Sequence, residues 1–101
     1  MNYNVSKELF KAVMKDDIFN NSGDWGQLTE EKYINKSIKE IDYDRLFFDC
    51  KKWAYNQGYI IFSSQQKTGW AVFIQTDSDG IIASFEGLEH QAVFDACQSI
   101  L

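Results

Sequence analysis

The sequence predicts an α+β fold: a three-stranded antiparallel sheet with helices packed on it, arranged as an α/β/α sandwich. Three observations carry this expectation. Three short runs rich in aromatic and β-branched residues follow one another within residues 59–85, separated by glycine-bearing turns. Helical periodicity brackets them, over 42–57 and again from 89 to the C-terminus. Each strand run also carries large apolar residues on both parities, so neither face of the sheet can be left wholly to water.

The N-terminal 41 residues read as a helical segment. Ser6 is placed to cap a first helix, with Val5 and Phe10 in the positions of a hydrophobic staple. Leu9, Phe10, Val13 and Met14 form its apolar face, and the helix is expected to end near Asp17. Asn20 to Gln27 then reads as a loop by composition, with Trp25 as a lid over the core or a contact residue. Thr29 caps a second helix running through Lys39, with Leu28 and Tyr33 as its staple. Ile34, Ile38 and Ile41 recur at helical spacing, although the second half of this segment also reads as a strand.

From residue 42 the pattern is firmer. Asp42 caps a helix in which Leu46, Cys50, Trp53 and Ala54 share one face, widened by Tyr43 and Phe47. Gly58 stands where a left-handed residue ends such a helix. Tyr59 to Gln65, Trp70 to Thr76 and Ile81 to Phe85 are the strands. Gly69 ends the first turn, and Asp77-Ser78-Asp79-Gly80 makes a type I turn with its glycine in the left-handed bulge position. The closing helix places Ala92, Val93, Ala96, Cys97 and Ile100 on one face, with Glu89 favourably set in its first turn. It is expected to lie beside helix 42–57 on one face of the sheet, leaving the N-terminal helix to cover the other.

A chain of 101 residues with 45% apolar residues and 16% aromatics reads as a single domain, 1–101, with a packed core. No apolar run reaches bilayer length and Met1 to Val5 does not read as a signal peptide, so a cytoplasmic protein without a membrane partner is expected. The Asn35-Lys36-Ser37 sequon then carries no weight. A formal charge of -5 argues against direct nucleic-acid binding, Lys51-Lys52 being a thin basic cluster. An acidic surface keeps a protein soluble and also suits a partner with a basic face.

The chemistry-bearing residues form no catalytic constellation. His90 is the single histidine and falls off the apolar stripe of its helix. Asp42, Asp44 and Asp49 read as the start and outer side of a helix rather than as paired carboxylates. Cys50 and Cys97 sit on the stripes of two helices and read as buried, reduced thiols, and a disulfide would require those helices to pack side by side. The six glycines are scattered turn positions, and zinc-ligand spacing is absent. Gln75, Asp77, Asp79, Gly80, Ile82 and Glu86 do fall at positions 1, 3, 5, 6, 8 and 12 of an EF-hand loop. Gln75 replaces the first aspartate, however, and a strand precedes the loop where a helix should, so a hairpin turn explains the same residues. Asn21 to Lys32 offers no competent second loop. No cofactor, metal or catalytic residue is therefore assigned.

Cys50-Lys51-Lys52-Trp53-Ala54 with Gly58-Tyr59, the Gly69-Trp70 strand start, and the run from Glu89 to Leu101 together resemble small phage and prophage proteins of the ABA-sandwich type. The likeness spans roughly the last 60 residues in the same helix–three-strand–helix order. Glu86-Gly87-Leu88-Glu89 departs from the Thr-Glu pair that often introduces the last helix there. The resemblance implies a small accessory protein of a mobile element. Double-stranded RNA-binding domains share the element order, but Glu86, Glu89 and His90 stand where they need a basic edge. A non-enzymatic protein that docks on another protein is expected, with inhibition of a host or defence factor as one form. Asp24, Trp25, Asp77 and Asp79 are the candidate partner-binding residues. The alternatives are a structural homodimer, in which another copy closes the second sheet face, and a calcium or small-ligand module.

Overall fold

The computed structural model describes residues 3–21 and 30–101 and shows the expected α+β fold. Its elements run α1 (Lys7–Val13), α2 (Lys15–Asn21), α3 (Glu30–Lys39), α4 (Tyr43–Asn56), β1 (Ile60–Gln66), β2 (Gly69–Thr76), β3 (Gly80–Gly87) and α5 (Glu89–Ser99). The three strands form one antiparallel sheet in the order β1-β2-β3.

Local chemistry sets the helix boundaries. Ser6 Oγ accepts from the Leu9 amide at 3.1 Å, and Asp42 Oδ1 accepts from the Asp44 and Arg45 amides at 3.1 and 3.2 Å. Each cap satisfies donors that the first helical turn leaves without partners. Gly58 takes the left-handed conformation (φ +92°) that lets the chain leave α4 and enter β1. Two boundaries differ from the sequence pattern. The first helix breaks at Met14 and resumes as α2, which runs past Asp17 to Asn21 and brings Ile18 into a small cluster with Phe10 and Ile34. The segment ending in Lys39 is helical throughout. Its proposed Thr29 cap and Leu28 staple lie outside the described residues.

Strand parity fixes which face the helices cover. Ile61, Val72 and Ile74 are buried in one cluster with Leu46, Cys50 and Ala54 of α4 and Ala92, Val93, Ala96 and Cys97 of α5. Ala83 and Phe85 of β3 pack on the same cluster. Residues of the other parity, Phe62, Ala71 and Phe73, belong to neither buried cluster. The helices therefore sit on one face of the sheet among the described residues.

The second cover expected of an α/β/α sandwich is not supplied by the N-terminal helix. α1 contacts α2, α3 and α4, and its Leu9 is 1% exposed within the main cluster. The physical reason lies just ahead of α1. The Gln91 side chain accepts from the Asn4 amide (2.6 Å) and donates to the Asn4 carbonyl (3.0 Å), much as a neighbouring strand would. Ser6 Oγ also hydrogen-bonds Gln98, and the Tyr3 ring sits edge-on to Phe94. These contacts hold the entry to α1 along α5, on the helix side of the molecule.

Candidate interaction surface

The sheet face that the described helices leave is built from alternate residues of all three strands. Phe62 of β1 pairs with Phe73 of β2, and their rings stack at 5.2 Å between centroids. Ala71 and Ser64 are neighbours on the same face, beside Glu86. At the far end Ile60 pairs with Gln75. The β2–β3 register slips here, so that Gln75 faces Ile81 while Ile82 is the extra, bulged residue. Ile81 and Ile82 are 57% and 48% exposed. Adjacent apolar side chains this open on one sheet face are the kind of feature that marks a contact surface.

The turn nominated from sequence borders this face. Asp77 and Asp79 are exposed in the β2–β3 turn, where Gly80 takes φ +68° as its position requires. The bulge itself falls two residues later, at Ile82. The Asp79 amide donates to Thr76 Oγ1 at 3.0 Å, which fixes the turn locally. Asp24 and Trp25 lie outside the described residues. Phe62, Phe73, Ile60, Ile81 and Ile82 were visible in the sequence as apolar residues on both strand parities. Nothing local in the sequence said which parity the helices would take.

The EF-hand spacing dissolves in the fold. Asp77 and Asp79 occupy a tight hairpin, while Glu86 is carried along β3 to stand opposite Ala71. The three helix-start carboxylates have separate employment. Asp42 caps α4, Asp49 lies 3.5 Å from Arg45, and Asp44 Oδ1 lies 2.8 Å from His90 Nε2.

His90 is more than the incidental surface residue its sequence position suggests. Its ring stacks on Phe47 at 4.4 Å and on Tyr3 at 5.4 Å, joining the N-terminal segment, α4 and α5. A histidine–carboxylate pair can serve as a base, but this one is wedged between aromatic rings. Its role in the described geometry is to tie two helix starts together.

Cys50 and Cys97 are both fully buried and unbridged, on helices that do pack side by side. Cys97 Sγ donates to the Cys50 carbonyl at 3.6 Å. The side-chain hydrogen bond with Cys97, followed by burial, pushes the Cys50 thiol far above its ordinary range. A thiol that stays protonated is a poor nucleophile. Because both side chains are fully buried, neither cysteine is expected to react with Ellman's reagent in the folded protein, and both should react fully in urea. Fast labelling under native conditions would place a thiol at the surface. Above about pH 9.0, the ordinary thiol value, the unfolded chain loses this proton while the folded chain keeps it. Cys50 therefore makes stability fall as pH rises through that range.

Compared with known proteins, the chain matches no family model, no curated protein and no solved structure.

Proposed function

We propose that this is a non-enzymatic binding protein, a phage- or prophage-type accessory factor that docks on another protein through the open face of its sheet. The observation that carries the reading is the stacked, half-buried pair Phe62 and Phe73 on the sheet face that the described helices leave, flanked by Ile60 and by the exposed pair Ile81 and Ile82. Acidic side chains border that row: Glu86 on the face itself, Asp77 and Asp79 in the adjoining turn. With a net charge of -5, the surface suits a partner whose apolar contact is ringed by lysine and arginine. Blocking such a surface on a host or defence factor is the specific form of the activity.

The test compares wild-type protein with the double variant Phe62→Ser/Phe73→Ser as baits in a host extract. Both side chains lie outside the two buried clusters, so the variant is expected to fold, and far-UV circular dichroism checks this before the comparison. A stoichiometric partner should bind the wild type and bind the variant at least about tenfold more weakly, as for the loss of central aromatic anchors. Equal capture by both baits, or no stoichiometric partner for either, overturns the reading.

A further inference from the structure

We propose that β1 is a self-pairing edge: two copies of this chain join their β1 strands antiparallel about a two-fold axis at Ser63, fusing two three-stranded sheets into one. The inference shares the sheet with the docking reading but uses its edge rather than its open face, so either can fail without the other.

Among the described residues, sheet order leaves β1 and β3 as the two edges. Natural edges are guarded by charge, proline or a bulge that twists the strand away. β3 has such guards, in its bulge at Ile82 and in Glu86. β1 reads Ile-Ile-Phe-Ser-Ser-Gln-Gln, with no charge and no proline. Its register with β2 also runs unbroken from Ile60↔Gln75 to Gln66↔Gly69. Of the two edges, β1 is the one built to accept a strand.

The register picks the axis. Lys67 and Thr68 form a two-residue loop between Gln66 and Gly69, and such a loop closes on a hydrogen-bonded pair. Alternation from that pair turns the N–H and C=O groups of Ile61, Ser63 and Gln65 outward. Among the described residues, no backbone hydrogen bond outside the sheet engages them. A two-fold axis at Ser63 matches Ile61 to the partner's Gln65, Ser63 to the partner's Ser63, and Gln65 to the partner's Ile61. All three outward residues then enter hydrogen-bonded pairs, and no charge opposes a like charge along the strand.

Two further observations converge on the same axis. Ser63 Oγ is the buried side-chain polar atom that has no hydrogen-bond partner among the described residues. Buried hydroxyls are rarely left so. That oxygen is closed off from solvent in the single chain; once the Ser63 side chain turns toward the edge, two serines facing each other across an antiparallel pair can bond hydroxyl to hydroxyl. Above this edge, Lys52 and Tyr55 of α4 line a hollow of about 380 Å³ that reaches down to Ile61. Phe48 lies four residues before Lys52 on the same side of α4, and Phe48 and Tyr55 are 64% and 69% exposed. Edge pairing about this axis keeps both helix layers on one side of the joined sheet. It sets each α4 beside its counterpart, where these two aromatics are covered.

The experiment is light scattering coupled to size exclusion across a concentration series, with hydrogen exchange read residue by residue. The expected result is a mass twice 11.7 kDa, with slow exchange at the Ile61, Ser63 and Gln65 amides that falls off on dilution. Gln65→Pro removes an outward N–H and is expected to weaken association about tenfold or more. Gln65→Lys, which places a charge at the joint and leaves the backbone ladder to β2 intact, should do the same if the proline variant fails to fold. A monomer at the highest concentration, with free exchange at those three amides, overturns the proposal and leaves the edge to some other strand. So does a dimer that survives both variants with the amides unprotected, since its interface must then be elsewhere.

Discussion

Replacing Phe94 with alanine is expected to remove about 3–5 kcal/mol of stability, the usual loss for a buried aromatic cut to a methyl group. Phe94 is 1% exposed on α5. It meets Tyr3 edge-on at 5.9 Å, Tyr43 at 6.2 Å and His90 at 6.4 Å. The ring thus stands where α5, the start of α4 and the N-terminal segment converge. No single neighbour can move into the space it leaves without giving up its other contacts, so the cavity term is expected to be close to full. A domain of this size holds about 5–15 kcal/mol in all, so the variant should sit near its unfolding threshold at 37 °C. Urea denaturation followed by circular dichroism measures this as a lower midpoint at an unchanged slope. A loss below about 1 kcal/mol would mean that the three segments do not meet at this ring.

Phe94 also shows where sequence periodicity ran out. The stripe Ala92, Val93, Ala96, Cys97 and Ile100 marks the side of α5 that lies on the sheet, and a helix covered on one side would show no more. In the fold α5 is covered on a wider arc, because α4 and the N-terminal segment also lean on it, and Phe94 falls in that added sector. The caps at Ser6 and Asp42, the left-handed Gly58 and Gly80, and the three strands were legible because each is decided within a few residues. The choice of covered sheet face was not. Phe62 and Phe73 are as apolar as Val72 and Ile74, and periodicity gives both rows equal claim to the helices. Equally hidden is the place of the N-terminal helix, which is set by the grip of Gln91 and Gln98 on the chain ahead of α1, residues that look like ordinary polar surface in the sequence. His90 was missed for a related reason, since its stacking partners Phe47 and Tyr3 are remote in sequence. The nominated turn at Asp77 and Asp79 lies at the rim of the open face because both follow from the same β2–β3 hairpin.

Leu9→Ala tests that placement of the N-terminal helix directly. Leu9 is 1% exposed and shares its cluster with Leu46 of α4 and with Phe94. Truncating a buried leucine costs about 2–5 kcal/mol, the upper end applying where the surroundings cannot collapse. Here α1 is only seven residues long, too short to hold itself as an isolated helix, so its order depends on this burial. The size of the loss alone does not say what Leu9 touches; coupling does. Residues in contact give non-additive losses of about 0.5–3 kcal/mol, whereas distant residues add to within about 0.5 kcal/mol. Leu9→Ala combined with Leu46→Ala should therefore be non-additive, because the two belong to one buried cluster on helices that touch. Leu9→Ala combined with Phe73→Ala should be additive, because the sheet lies between them. The reverse pattern would put α1 on the Phe62–Phe73 face, restore the α/β/α sandwich, and remove the surface on which the docking proposal stands. With the pattern expected here, the second sheet face is left bare by the chain's own described helices. The aromatic pair on it then needs a reason outside the single fold.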